Sequence, residues 1–102
     1  MVDNAEIIQL LDEWDQIDKN TLANNIETVL YKKYPECEAS WLNKIGHLSQ
    51  MTGAKHDTVY AWFNRGRGNV KVPFLQLCKI ALALNTDVAE FLIRKDIEEN
   101  GL

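Results

Sequence analysis

A chain of 102 residues with 46% apolar and 25% charged content is long enough for one modest core and too short for two, and that apolar share excludes a disordered chain. No apolar run approaches the roughly 18 residues of a spanning helix, and the acidic N-terminus is unlike a secretion signal, so a cytoplasmic protein is expected. The formal net charge of −4 speaks against a polyanionic partner until its distribution along the chain is traced.

The first helix is expected over Asn4 to Ile17. Asp3 and Glu6 have capping-box spacing, and Ile7, Leu10, Leu11 and Trp14 form an amphipathic stripe opposite an acidic face. A second helix over Asn20 to Tyr34 has Leu22, Ile26, Val29 and Leu30 as its buried stripe, and Pro35 ends it. Pro35 to Ala39 reads as a loop. Ser40 is the N-cap expected for a third helix with Trp41, Leu42, Ile45, Leu48 and Met51 inward, and Gly53 stops it in a left-handed conformation. A fourth helix starts between Lys55 and Asp57 and turns Val59, Trp62 and Phe63 inward. Asn64 to Val72 reads as a basic loop. Pro73 opens a fifth helix at its first position, with Phe74, Leu77, Cys78, Ala81, Leu82 and Leu84 as its apolar face. Asn85 suits its end and Thr86 the next N-cap. A sixth helix carries Val88, Phe91, Leu92 and Ile97 and frays at Asn100-Gly101. No strand pattern or repeat is present, so the expected fold is all-α.

The charges are segregated. Residues 1–38 hold nine acids (Asp3, Glu6, Asp12, Glu13, Asp15, Asp18, Glu27, Glu36, Glu38) against three lysines (Lys19, Lys32, Lys33). Residues 44–79 hold six bases (Lys44, Lys55, Arg65, Arg67, Lys71, Lys79) against Asp57 alone. Phosphate affinity depends on the local patch and not the total. Cys37 and Cys78 lack a C-x-x-C unit and read as reduced thiols, with Cys78 buried on its helix.

From Leu48 to Leu92 the order is helix, glycine turn, helix, basic loop, helix. This resembles the Cro/repressor-type (Xre) helix-turn-helix family of bacterial and phage regulators. Leu48-Ser49-Gln50-Met51-Thr52-Gly53 is similar to the family's Leu-Ala-x-x-x-Gly. Val59 and Trp62 stand at its two apolar recognition-helix positions. Leu77 to Thr86 matches its Leu-x-x-Leu-Ala-x-Ala-Leu succeeded by a turn and a capping residue. The resemblance covers about Asn20 to Glu98. It implies a compact lambda-repressor-like domain of about five helices over residues 19–102, to which residues 1–18 add a leading helix. Ile45 and Phe63 depart from the family's usual glutamine and glutamate, and the loop before Ser40 is longer.

The resemblance implies a sequence-specific double-stranded DNA-binding regulator, acting as a repressor by blocking a promoter. The helix at about 55–65 would read the major groove. Lys55, His56, Asp57, Tyr60, Ala61 and Asn64 are the candidate base contacts, opposite Val59 and Trp62. His56 donates to guanine, Asn64 reaches an adenine edge or a phosphate, and Ala61 meets a thymine methyl. Asp57 either caps the helix through the N–H of Val59 or Tyr60, the favoured reading, or accepts from cytosine N4. Arg65, Arg67, Asn69 and Lys71 read as a phosphate clamp, joined by Ser40, Asn43 and Lys44 at the preceding helix's N-terminus.

The alternative is a helix-turn-helix scaffold acting through a protein partner, of the antitoxin or anti-repressor type, with the acidic leading helix as the docking element. An enzyme is not expected. His47 and His56 have no third ligand, neither cysteine has a nucleophile motif, and no G-x-x-x-x-G-K loop is present. No metal or cofactor is expected. A homodimer is expected because one recognition helix covers few base pairs. Its interface is either the C-terminal surface of Phe91, Leu92 and Ile97, the favoured reading, or the leading helix through Ile7, Ile8, Leu11 and Trp14.

Overall fold

In the computed structural model, which describes residues 3–65 and 69–94, Asp3 opens helix α1 (Asn4–Gln16) by accepting from the Glu6 N–H at 2.8 Å. Ile17 leaves the helix as its C-cap and is buried. Asp18 then caps α2 (Lys19–Lys33), accepting from the backbone N–H groups of Asn20 and Thr21 and from the Thr21 hydroxyl. These three bonds, the Thr21 hydroxyl first, hold its carboxyl below the usual aspartate range. Leu22, Ala23, Ile26 and Leu30 form the buried face of α2, and Val29 is only half-buried beside it.

Pro35 does end α2, but the segment after it is not a loop. Glu36–Ala39 makes a single helical turn, α3, which buries Cys37. The expectation for Cys78 is corrected accordingly. Cys37 is the fully buried thiol and Cys78 is half-buried, and both are free. Helix α4 (Trp41–Thr52) starts at Ser40, whose Oγ accepts from the Asn43 N–H at 3.2 Å. Its buried positions are Lys44, Ile45, Leu48 and Thr52. Trp41 and Leu42, which the apolar pattern places inside, are instead 49% and 77% exposed. At about 100° per residue, Leu42 falls on the flank of the face that Ile45 and Leu48 define, and Trp41 lies at the helix end.

Gly53 ends α4 with φ 76°, the left-handed conformation glycine adopts at little cost. The turn is closed by side chains as well. Ser49 Oγ donates to the Ala54 carbonyl at 2.6 Å, and Thr52 Oγ1 accepts from the Ala54 N–H at 3.1 Å. Helix α5 (His56–Phe63) comes next and buries Val59, Trp62 and Phe63. After it, the Val70 N–H donates to the Ala61 carbonyl, and Val72 drops into the core at 1% exposure. The basic loop is therefore anchored at its far end. Gly66, Arg67 and Gly68 lie outside the described residues, as do Ile97, Asn100 and Gly101.

Pro73 is the N-cap of α6 (Phe74–Ala83), one position earlier than expected. Leu77, Ile80, Ala81 and Leu84 form its inner face. Leu82 does not belong to it and is 83% exposed, because the i, i+3, i+4, i+7 face passes through Ile80 and Ala81 and not through the next residue. Asn85 takes a positive φ of 53°. With the Thr86 N–H on the Ala81 carbonyl and the Asn85 N–H on that of Leu82, this is a Schellman ending. Asp87, and not Thr86, is the next N-cap, accepting from the Ala89 N–H. The expected sixth α-helix is a 3₁₀ helix, Val88–Leu92.

One apolar cluster joins α2, α4, α5, α6, Val72, Phe91 and Leu92. Asn25 on α2 ties down the far end by donating to the carbonyls of Phe91 and Ile93. Phe91 and Leu92 are 0% and 6% exposed, so they are core and not a leftover surface for a dimer. Helix α1 lies against this body through Leu10 and Trp14. The Trp14 indole N–H donates to the Val72 carbonyl at 2.8 Å. Its outer residues Ile7, Ile8 and Leu11 stay 40%, 60% and 40% exposed. The fold is all-helical throughout the described residues, and none of its helices is long and apolar enough to cross a membrane.

Candidate nucleic-acid interface

Helix α5 stands on three inward residues, Val59, Trp62 and Phe63. Its opposite face begins at Lys55, the N-cap, and continues through His56, Asp57 and Tyr60, all exposed. Ala61 is half-buried, and Asn64 is half-buried as the C-cap. Asp57 is not a cap. The N-cap Lys55 makes no side-chain cap bond, and the Val59 N–H goes to the Lys55 carbonyl at 3.0 Å. The Asp57 carboxylate sits in the first turn, where the helix dipole favours a negative charge without a direct bond.

The predicted phosphate contacts divide. Lys44 is 3% exposed, and its ammonium is paired with the Glu27 carboxylate of α2. The rings of Trp41 and Phe63 lie 4.6 Å away and that of Tyr31 5.5 Å away. Burial pushes its pKa down, and the bond to Glu27 opposes that shift. Lys44 is therefore a largely buried cation, on the wall of a pocket that it shares with Glu27, Tyr31 and Trp41. Glu27 also raises its neighbour: burial first, then the carboxylate, pushes the Tyr31 phenol up to about 12.

The other carboxylate oxygen of Glu27 holds Arg65 at 2.5 Å. The Arg65 guanidinium further donates to Asn24 Oδ1 at 2.5 Å and to the Phe63 carbonyl at 2.9 Å. With its side chain 34% exposed, Arg65 can still present one edge outward. Asn69 is buried at 7%. It donates to Asn20 Oδ1, while its carbonyl accepts from Lys19. Its role is to staple the loop to α2. Lys71 lies over the Trp14 ring at 4.4 Å and donates to the Asp15 carbonyl. Ser40 spends its hydroxyl on the Asn43 N–H, and Asn43 is exposed. Arg67 lies outside the described residues.

Sequence reasoning missed what stands beside the outward face of α5. Trp41 and Tyr60 pack with ring centroids 5.2 Å apart at 45°. With Leu42, Ile45, His56 and Asp57 they line an open groove of about 290 Å³ between the start of α4 and the start of α5. The sequence signal was present in the apolar pair Trp41-Leu42 directly after the Ser40 cap, and helical phase would have placed Leu42 outside. Among the described residues no cluster of His, Cys, Asp and Glu is arranged to hold a metal ion. No family model, no curated protein and no solved structure matches this chain.

Proposed function

We propose that this protein is a sequence-specific double-stranded DNA-binding transcriptional regulator of the Xre type, a homodimer in the cytoplasm that represses by blocking a promoter. One observation carries the reading. Beyond a left-handed glycine turn, a short helix buries Val59, Trp62 and Phe63 and presents Lys55, His56, Asp57 and Tyr60 outward from its N-terminal half. A helix in the major groove reads base edges from that part. His56 donates to guanine N7 or O6, Asp57 accepts from an exocyclic amino group, and Asn64 at the far end reaches an adenine edge or a phosphate. Asn43, Lys55 and the outer edge of Arg65 remain for the backbone. Lys44 and Asn69 act from inside, by holding α4 and the basic loop in place.

Selection from a random duplex library at two salt concentrations tests this. A palindromic consensus whose affinity falls steeply with salt is expected; absence of enrichment overturns the proposal. On the selected site His56→Ala is expected to cost about 1–3 kcal/mol, with far less effect on random DNA. Equal losses on both would remove His56 from base reading.

A second reading is a scaffold for a protein partner. It is favoured by the capture of two expected phosphate cations, Lys44 and Arg65, on Glu27 and by the exposed Trp41 and Leu42 beside α5. Arg65→Ala separates the two. In the DNA reading it lowers the salt slope by about one unit per lost phosphate contact.

A further inference from the structure

The groove between α4 and α5 has a composition that suits one part of DNA and not the rest. It is lined by the exposed Leu42, the tilted pair Trp41 and Tyr60, the buried Ile45, and the exposed His56 and Asp57. Leu42 is 77% exposed and so adds little to packing within the chain. Among the described residues no lysine or arginine lines the groove, and Asp57 does. A phosphate would be repelled there. Among the major-groove edges of the four bases, the thymine 5-methyl is the one apolar group, and the adenine paired with it presents an amino donor at N6. An apolar groove with a carboxylate acceptor among its lining residues is complementary to that pair and to no phosphate.

We infer that this groove takes the 5-methyl group of a thymine, with Asp57 accepting from the N6 amino group of the paired adenine. The inference rests on the DNA reading of the same face and names the base that the face reads. It also assigns a purpose to Trp41 and Leu42, which lie on the helix before the turn and outside the recognition helix.

The probe is the tightest duplex recovered from the random library, resynthesised with each thymine in turn replaced by deoxyuridine. This removes a methyl group and leaves every hydrogen-bonding atom in place. Binding is measured by fluorescence anisotropy. Replacement at one thymine per half-site is expected to weaken binding about fourfold, the effect of burying one methyl. In Leu42→Ser/Tyr60→Ser, at positions 77% and 49% exposed, that difference between thymine and deoxyuridine disappears. Circular dichroism checks that the variant is folded, and the single Leu42→Ser, at the more exposed position, repeats the comparison if it is not. Equal binding of thymine and deoxyuridine duplexes overturns the inference and leaves the DNA reading standing. A methyl effect that persists undiminished in the folded variants also overturns it, by placing the methyl elsewhere. Failure of the library to yield any bound duplex overturns both.

Discussion

At the scale of single residues, Glu27 organises the polar contacts between three elements. It joins Lys44 on α4 to Arg65 beyond α5, and both are basic residues that the family resemblance assigns to phosphate contact. Around the Lys44 ammonium a carboxylate and three aromatic faces take the place of water. Breaking such a pair leaves an uncompensated buried charge, whereas removing it from the lysine side leaves Glu27 with Arg65. Glu27→Ala is therefore expected to cost about 3–5 kcal/mol of stability in urea unfolding. Lys44→Met, which refills the same apolar sheath, is expected to stay within about 1.5 kcal/mol of wild type. Comparable losses in the two variants would show that the pair itself, and not the stranded charge, sets the cost.

At the scale of elements, the α4–α5 corner depends on its turn. Gly53 has a φ of 76°, and a Cβ placed there meets no atom within 4 Å. Gly53→Ala is therefore expected to lose only the backbone term, about 1–2 kcal/mol, read as a shift in the urea midpoint at unchanged slope. A larger loss would mean that the corner rearranges. Much of this corner is legible in the sequence. The Ser40 cap, the Gly53 stop and the inward trio of α5 come from local chemistry. The face of α4 is not legible in the same way. Its lysine lies inside because the carboxylate that receives it, Glu27, comes from α2, 17 positions away in the chain.

For the whole molecule, two of the three residues that the sequence favoured for self-association are core, and the third, Ile97, lies outside the described residues. Phe91 and Leu92 close the core under α2. The apolar residues that remain outside on α1 are Ile7, Ile8 and Leu11. Leu75 and Leu82 on α6 are exposed as well; of these surfaces we expect the homodimer to use α1, the alternative interface read from the sequence. Sedimentation of the full chain should report a dimer, and Ile8→Asp, at a 60% exposed position, should give a folded monomer. An unchanged dimer in that variant would move the interface off α1, and a monomeric wild-type chain, alone and on DNA, would remove the dimer altogether.

By itself, the sequence determined the all-helical class, most helix limits, the capping aspartate of α1 and the capping serine of α4, the left-handed stop at Gly53 and the inward face of α5. These depend on residues within one or two turns of each other, so periodicity and capping chemistry suffice to read them. Only the tertiary structure decided which of the described residues read as phosphate contacts are held inside. It sank Lys44 and Asn69, tied Arg65 to Glu27, laid Lys71 on Trp14, and opened an apolar groove beside α5. The reason is that a charge's solvation depends on what surrounds it in space. Glu27 and Asn20 reach those positions only when α2 packs against α5 and the basic loop, and Trp14 only when α1 lies along the 3₁₀ helix and the end of that loop.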